Sequence, residues 1–304
     1  MTQRIESVKD VPASVWRLFD EYVHGLITRR EFVDGASKFV VGGLSGAALL
    51  EALQPRFAEA AQVPASDAHI SAEFVEFPSA GYGKARAYRV KPKHPTTGLP
   101  LVLVVHENRG LNPHIEDIAR RLALDGFIAL APDALFPLGG YPGDEDKARE
   151  LFTHLDQTKT RADFVSAARA LLNSPDGNGQ LGVVGFCWGG GITNSLATTL
   201  PELRAAVPFY GMAPELSQVP KIKAKLLLHF AENDERINAS WPPYQAALDQ
   251  AKVSYEAFTY AGTQHGFNND TTPRYDKAAA KLAWERTLAL FHKELPSPVT
   301  HGHH

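Results

Sequence analysis

One stretch of this 304-residue chain constrains the fold more than any other: residues 181–192, which read LGVVGFCWGGGI. The leucine and the paired valines that open it are typical of a buried strand in a parallel sheet. Cys187 follows, with Gly185 and Gly189 two residues to either side, and a helix-like segment comes next. Glycine suits both positions because a sharp strand-to-helix turn leaves no room for a Cβ atom beside the projecting side chain.

The position of Cys187 on such a turn indicates a nucleophile. The first turn of the following helix offers free backbone N–H groups and the positive end of the helix dipole. Both lower a thiol pKa from about 8.5 towards neutrality and make a thiolate available. A lone cysteine is more often a small buried apolar residue. The Gly-x-Cys-x-Gly frame reverses that expectation if a histidine and an acid lie downstream.

Composition narrows the class of protein further. A formal net charge of −3 with no basic block argues against nucleic acid or an anionic membrane as a partner. No run is long and apolar enough to span a bilayer, so stable membrane insertion is not expected. The single cysteine excludes an intramolecular disulfide and a cysteine-based metal cluster. The sequence does not decide the oligomeric state, and a homo-oligomer is compatible with it.

Strands and helices alternate along residues 66–298. A hairpin over 70–77 and 85–90 comes first, and a Gly/Pro-rich segment over 135–144 predicts a connection or lid. Alternation of this kind predicts a mostly parallel eight-stranded sheet with helices on both faces, the α/β-hydrolase fold, preceded by an N-terminal helical segment over 1–65. The predicted single strands are 101–105, 127–131, 181–184, 205–210, 225–231 and 254–260. The predicted helices of this part start near 113, 160, 242 and 273, and a further helix starts at the Cys187 turn and has its body over 192–200.

Two loops after later strands carry partners for the thiol. The loop 232–235 contains three acids, and Asp234 is preferred among them because its short side chain lies just beyond the strand. His265 follows the last strand and can accept the thiol proton and return it to a leaving group. His229 competes for this role, but it lies within an apolar strand, which favours a hydrogen-bonded core histidine. The order nucleophile, acid, histidine is that of α/β-hydrolases.

Four motifs together resemble the dienelactone hydrolase (carboxymethylenebutenolidase) family over about residues 68–295. They are Phe186–Gly190, His106–Gly110, Ala131–Asp133 and Gln264–Phe267. The resemblance implies hydrolysis of an enol-lactone through an acyl-thioester, with no metal or organic cofactor.

The resemblance also implies site roles. Cys187 is the implied nucleophile, His265 the base and Asp234 the residue that orients it. Glu107 is implied to contact the resting thiol and assist its ionisation, although a loop glutamate paired with an arginine is an equal alternative. The implied oxyanion hole consists of the backbone N–H groups of Trp188 and Asn108.

One departure concerns the substrate carboxylate. The family places an arginine shortly after the histidine, whereas this chain has Asn268 and Asn269 there. Arg274 and Arg109 are the candidates for binding a carboxylate, although Arg274 could instead lie on the first turn of the last helix. Dienelactone itself is therefore doubtful as the substrate, and Trp188 is expected to narrow the acyl pocket.

The two chain ends carry separate predictions. Three features of the N-terminal part together resemble a twin-arginine export leader. They are the pair Arg29 and Arg30, the weakly apolar segment 39–50, and the small-x-small cleavage pattern of residues 58–60. A periplasmic or exported location is thus preferred, and the alternative is an N-terminal helical hairpin packed on a cytoplasmic enzyme. The tail 299–304 has three histidines, but a disordered terminus or tag remnant is favoured over metal binding.

The preferred function is hydrolysis of a small carboxylic ester or lactone. A thioesterase, an acyltransferase or a peptidase on the same fold are alternatives, because each uses an activated thiol in the same way. A non-catalytic binding protein is the remaining alternative, and the complete Cys187, His265 and Asp234 set argues against it.

Overall fold

The structure is a computed structural model, and it describes residues 11–39 and 44–296. The helices are α1 (Ala13–Val23), α2 (Arg29–Ala36), α3 (Gly46–Ala52), α4 (Phe57–Ala60), α5 (Pro113–Leu124), α6 (Glu145–Phe152), α7 (Gln157–Leu172), α8 (Trp188–Thr199), α9 (Glu235–Gln250) and α10 (Lys277–Glu294). The strands are β1 (Ile70–Ser79), β2 (Gly83–Pro92), β3 (Leu99–Val105), β4 (Ile128–Pro132), β5 (Gly177–Phe186), β6 (Leu203–Phe209), β7 (Lys225–Asn233) and β8 (Tyr255–Gln264).

The strands of the described part form one eight-stranded sheet in the order β1-β2-β4-β3-β5-β6-β7-β8. The β1–β2 hairpin is antiparallel, and β2 also runs antiparallel to β4. Every later neighbour pair is parallel. The predicted α/β fold is therefore confirmed. Its parallel strands all end at one edge of the sheet, where ligand sites of open α/β sheets lie.

Two apolar clusters cover the two faces of the sheet. Because both faces are covered, the side chains of β3 and β4 are buried along the whole strand. Leu103 and Val105 belong to one cluster, and Val102 and Val104 belong to the other, because successive side chains of a strand point to opposite faces. The packed sheet positions the loops at its carboxyl edge.

Two predicted helix boundaries were wrong. α9 begins at Glu235, directly after β7, although the sequence suggested a start near residue 242. Pro242 and Pro243 therefore lie inside this helix rather than at its first turn. α10 begins at Lys277 and not at residue 273, because Asp276 caps it with a side-chain hydrogen bond to Ala279 N–H.

Helices α1–α3 form a small apolar cluster of their own. Val15 and Phe32 are fully buried in it, and Phe19 packs edge-to-face on Phe32 at a centroid distance of 6.0 Å. Thr28 and Glu31 complete a capping box at the start of α2, in which each side chain bonds the other's backbone N–H. The buried residues of α1 lie on one face, as in an amphipathic helix.

The paired arginines that suggested an export leader belong to a folded helix. Arg29 and Arg30 form the first turn of α2, and Arg29 pairs with Asp146 of α6 at 3.5 Å. Export stays a prediction, as does the location of the protein. Residues 40–43 of the weakly apolar segment and the histidine-rich tail lie outside the described residues. None of the helices within 11–39 and 44–296 combines the length and apolar character needed to cross a membrane.

Candidate active site

The thiol of Cys187 lies on a strained turn between β5 and α8. The residue has φ 59° and ψ −119°, a conformation that side-chain-bearing residues adopt only where the surroundings enforce it. A Cβ atom on Gly185 would lie 2.0 Å from Gly189 O, and one on Gly189 would lie 2.3 Å from Val105 O. Close approach of three backbone segments therefore explains the glycines on both sides of the cysteine.

His265 and Asp234 reach the thiol from the neighbouring strand ends. The distance from His265 Nε2 to Cys187 Sγ is 3.1 Å, and that from His265 Nδ1 to Asp234 Oδ2 is 2.5 Å. Asp234 directly follows β7 and His265 directly follows β8, so the parallel pairing of these strands brings the two side chains together. All three side chains are at least nine-tenths buried.

The charges of this cluster favour a thiolate. Burial raises the pKa of Cys187, but the nearby imidazoles of His265 and His24 lower it to about 6, from a usual value of 9.0. Burial lowers the pKa of His265, but the Asp234 carboxylate and the thiolate outweigh this and hold it well above 6.5. A thiolate–imidazolium pair is therefore the expected state near neutral pH.

His24 is a site residue that the sequence analysis did not identify. It caps the C-terminal end of α1, and its Nε2 lies 3.5 Å from Cys187 Sγ. Its Nδ1 lies 2.8 Å from the carbonyl oxygen of Asp20. Burial lowers the pKa of His24, but the thiolate and Asp20 raise it above the usual 6.5. No motif surrounds this histidine, so no local sequence signal could have identified it.

The N-terminal segment is held at the site by further contacts. Asn108 Nδ2 donates to Val23 O at 2.6 Å, and Arg109 donates to the same oxygen at 3.1 Å. Arg149 donates to Tyr22 O at 3.0 Å and lies over the Tyr22 ring. The last turn of α1 therefore docks directly on the loop after β3.

Trp188 and Asn108, the residues of the predicted oxyanion-hole amides, line the same cavity as Cys187. Trp188 N–H is the first amide of α8, and Asn108 N–H belongs to the loop after β3. Within the described ranges, neither amide donates a hydrogen bond to another protein group. Free amides beside a nucleophile are able to bind a developing oxyanion, so their availability is compatible with the predicted role.

Glu107 does not make the contact that the sequence analysis expected. Its Oε1 accepts a hydrogen bond from Asn269 Nδ2 at 2.9 Å. Among the described residues, it bonds neither the Cys187 thiol nor Arg109. Asn269 stands in the region where the family has an arginine, and its side-chain amide binds the Glu107 carboxylate.

Two cavities adjoin Cys187, a large one that is open to solvent and a small one. The open cavity, about 680 Å³, is lined by Cys187, His24 and Trp188 among others. Trp188 stacks on His106 at a centroid distance of 5.5 Å and donates from Nε1 to Gln157. The small cavity, about 50 Å³, lies under α1. The tryptophan therefore forms one wall of the larger space.

Comparison with known families identifies the chain. The model of the Dienelactone hydrolase family matches residues 85–295, more than half of the sequence. The chain belongs to the dienelactone hydrolase family. A second family model, described as YqhI-like, matches residues 3–41. The dienelactone hydrolase match covers most of β2, the strands β3–β8 and the loops after them, whereas the second match covers α1 and α2.

Similar proteins agree with this assignment. A Salmonella typhi protein named "Putative carboxymethylenebutenolidase" is 36% identical over 74% of this chain and 88% of its own length. An Escherichia coli K12 protein of the same name is 35% identical over 78% of this chain and 95% of its own. The E. coli "Putative hydrolase fragment YghX" is 52% identical, over 38% of this chain and 99% of its own. This chain is therefore a hydrolase of the dienelactone hydrolase type.

Solved structures share the fold. The structure of a Klebsiella pneumoniae protein described as "Putative Dienelactone Hydrolase" has a TM-score of 0.66 and 31% identity, covering 74% of this chain and 99% of that one. A dienelactone hydrolase-like phosphotriesterase from metagenomic libraries has a TM-score of 0.64 at 23% identity, which shows the fold alone. Both leave about a quarter of this chain uncovered.

The two arginines proposed for a substrate carboxylate differ in their surroundings. Arg109 is buried, and its guanidinium is bound by Val23 O and by the carbonyl and side-chain oxygens of Asn108. Arg274 lies in the loop before α10 and not on that helix. Its guanidinium is 5.0 Å from the Phe19 ring centroid, and its buried Nε has no hydrogen-bond partner among the described residues.

The competing histidine has the structural position that the sequence indicated. His229 is fully buried, with Nδ1 2.9 Å from Tyr260 Oη and Nε2 3.0 Å from Thr287 Oγ1. Burial lowers its pKa to about 3, so it stays neutral. Both ring nitrogens are hydrogen-bonded inside the core, away from the thiol.

Proposed function

We propose that this hydrolase cleaves small carboxylic esters or lactones with Cys187 as nucleophile, His265 as base and Asp234 as the residue that orients the base. The observation that supports this most directly is the continuous line of contacts from thiol to imidazole to carboxylate, with distances of 3.1 and 2.5 Å. Membership of the dienelactone hydrolase family supports the reaction class.

The first half of the proposed reaction forms an acyl-thioester. The thiolate of Cys187 attacks the acyl carbon, and the carbonyl oxygen becomes an oxyanion. The backbone N–H groups of Trp188 and Asn108 then bind this oxyanion, each contributing about 2.7–4 kcal/mol if they act as other oxyanion-hole donors do. When the bond to the alcohol oxygen breaks, that oxygen takes the proton from His265. In a lactone, the released alcohol remains attached to the acyl group.

The second half releases the acid. His265 takes a proton from a water molecule, whose oxygen attacks the thioester carbon, and the C–S bond breaks to restore the thiolate. Asp234 stabilises the imidazolium that forms in this step and holds Nδ1 protonated. No cofactor is part of this sequence of steps.

The test of the nucleophile uses Cys187→Ala. We expect turnover of an activated small ester to fall by at least about 10⁴-fold, since removal of a nucleophile leaves only binding and the oxyanion hole. Intact-mass measurement of the quenched native enzyme should find one acyl group, absent from the variant. His69→Ala is the control, because this imidazole is exposed and pairs with Asp67 on the surface. Retained activity in the cysteine variant would sink the assignment.

We also propose that Arg274 favours substrates with a carboxylate near the scissile bond. Arg274, whose buried Nε has no hydrogen-bond partner in the described part of the chain, lines the same small cavity as Cys187 and His265. Loss of a charge-assisted hydrogen bond costs about 1.5–3 kcal/mol, so Arg274→Gln should lower kcat/KM for an anionic ester by roughly 10- to 150-fold. The matched neutral ester should lose less than about threefold. An equal loss for both esters would contradict the proposal.

A substrate panel separates the alternative activities of the same thiol. Lactones, thioesters and peptides differ in their leaving groups, and the nucleophile accepts each of them in principle. We expect lactones and simple esters to give the highest kcat/KM. Faster cleavage of a thioester or a peptide, or no thiol-dependent activity on any of them, would favour the corresponding alternative.

A further inference from the structure

We propose that His24, Cys187 and His265 form a binding site for a zinc ion, with one coordination position left open towards the larger cavity. The three ligand atoms are two imidazole nitrogens and the thiol sulfur, and all lie within 4.8 Å of one another. The site joins the N-terminal segment to the hydrolase domain, because His24 comes from α1 and the other two from loops of the sheet.

The distances are close to those of a tetrahedral ion. Zinc bonds of about 2.3 Å to sulfur and about 2.0–2.1 Å to nitrogen separate sulfur from each nitrogen by about 3.6 Å. Cys187 Sγ lies 3.5 Å from His24 Nε2 and 3.1 Å from His265 Nε2. The two nitrogens would lie about 3.3 Å apart around zinc, so a rotation of the imidazole rings must close their separation of at most 4.8 Å.

Both histidines have the outer partners that zinc-binding histidines usually have. His265 Nδ1 is bound by the Asp234 carboxylate at 2.5 Å. His24 Nδ1 lies 2.8 Å from Asp20 O and 3.3 Å from Asp20 Oδ1. A protonated Nδ1 facing an oxygen directs the Nε2 lone pair away from it, here towards the sulfur, and fixes the tautomer required of a ligand.

The hydrogen-bonding groups of the cluster also leave a place for a cation. With both Nδ1 atoms protonated, the two Nε2 atoms and the sulfur are three acceptors, and a neutral cluster has only the thiol proton to place between them. An additional proton or a metal ion satisfies all three. Zinc binding replaces the shared proton, which passes to solvent, and leaves one thiolate and two neutral imidazoles as ligands.

The ligand set and the open position indicate the metal. A thiolate with two imidazoles suits zinc, and a zinc site with three protein ligands keeps its fourth position for water or substrate. His24 and Cys187 both line the cavity of about 680 Å³, so a small ligand can reach that fourth position. Zinc held there would withdraw the sulfur lone pair from attack on an ester.

Cobalt substitution tests the site directly. Co²⁺ bound by a thiolate gives a sulfur-to-metal charge-transfer band, and Cys187 is the sole cysteine of the chain, so any such band must come from it. We expect one Co²⁺ per full-length protein, displaced by one equivalent of Zn²⁺. Even the loss of an outer partner typically weakens metal binding by about 10–100-fold, so His24→Ala should weaken it by at least about tenfold.

Two control variants guard against binding elsewhere. The full-length chain with His301→Ala, His303→Ala and His304→Ala lacks the histidines of the C-terminal tail, and it should keep the band and its affinity. His69→Ala removes an exposed histidine and should do the same. Absence of a thiolate band, or a band with unchanged affinity in His24→Ala, would overturn the proposal.

The metal readout is independent of ester hydrolysis. If the proposed function is also correct, zinc should inhibit ester cleavage and a chelator should restore it. A protein that binds Co²⁺ through the thiol but cleaves no ester would keep the metal site and refute the function. The opposite result would keep the function alone.

Discussion

At the scale of single residues, the pKa of the Cys187 thiol depends on the imidazoles that surround its sulfur atom. Burial alone would raise the pKa of Cys187 and keep it protonated at neutral pH. His265 and His24 reverse this, one from the end of β8 and one from the end of α1. A second imidazole beside the thiol is the feature that motif analysis did not predict.

The pH dependence of thiol alkylation should report this environment. In metal-free buffer, the iodoacetamide rate of the native protein should rise with pH through about 6 and then level off, because the thiolate is the reactive form and its pKa is about 6. His24→Ala removes one cation and should move the midpoint to higher pH. His69→Ala should leave it in place. A native midpoint near 9 would show that neither imidazole acts on the sulfur, and an unshifted midpoint in His24→Ala would show that His24 does not.

Residue identity also explains the different partner of Glu107. The sequence alone showed Asn268 and Asn269 at the place of the family arginine, but not what they contact. Asn269 donates to Glu107 and accepts from the Thr271 backbone and hydroxyl groups. This network engages one carboxylate oxygen of Glu107, and no hydrogen bond joins the carboxylate to the thiol among the described residues.

At the scale of elements, the Cys187 turn is positioned by the close packing of α8 against the end of β3. Gly189 lies on the first turn of α8, where an added Cβ would meet Val105 O at 2.3 Å and His106 O at 2.4 Å. Backbone atoms cannot rotate away as side chains do, so the glycine is required by packing. The same helix has Gly191 two residues later, where an added Cβ would meet only ordinary contacts from 3.7 Å.

These two glycines make a matched pair for a stability test. Gly189→Ala should lower the free energy of unfolding by about 1–3 kcal/mol or more, because it overpacks a backbone contact. Gly191→Ala should be neutral or raise it by up to about 1 kcal/mol, because alanine favours the helix. Urea unfolding followed by circular dichroism measures both. If both variants lost the same free energy of unfolding, packing of α8 against β3 would not explain why residue 189 is a glycine.

At the scale of the whole molecule, the N-terminal segment and the hydrolase domain share the site. α1 supplies His24, and its last turn contacts Asn108 and Arg109 through Val23 O. If the protein were exported and its leader were cleaved after residue 60, the mature protein would lack His24. The mass of the mature N-terminus in the native host therefore decides between the predicted leader and a retained part of the active site.

The sequence by itself was enough for the alternating strands and helices, the Cys187 turn, and the partners Asp234 and His265. These follow from local patterns, because hydrophobic periodicity, glycine spacing and strand-end loops are all written in neighbouring residues. Even the hydrogen-bonded core position of His229 followed from its apolar strand.

Only the tertiary structure decided the second imidazole, the partner of Glu107 and the loop position of Arg274. His24 is 163 residues from Cys187 in sequence, and no local pattern encodes a contact of that range. Docking of α1 depends on its apolar face and on carbonyl groups at its end, which any amphipathic helix has. Which surface such a helix covers is settled by complementary shape and charge, and these exist only once the chain has folded.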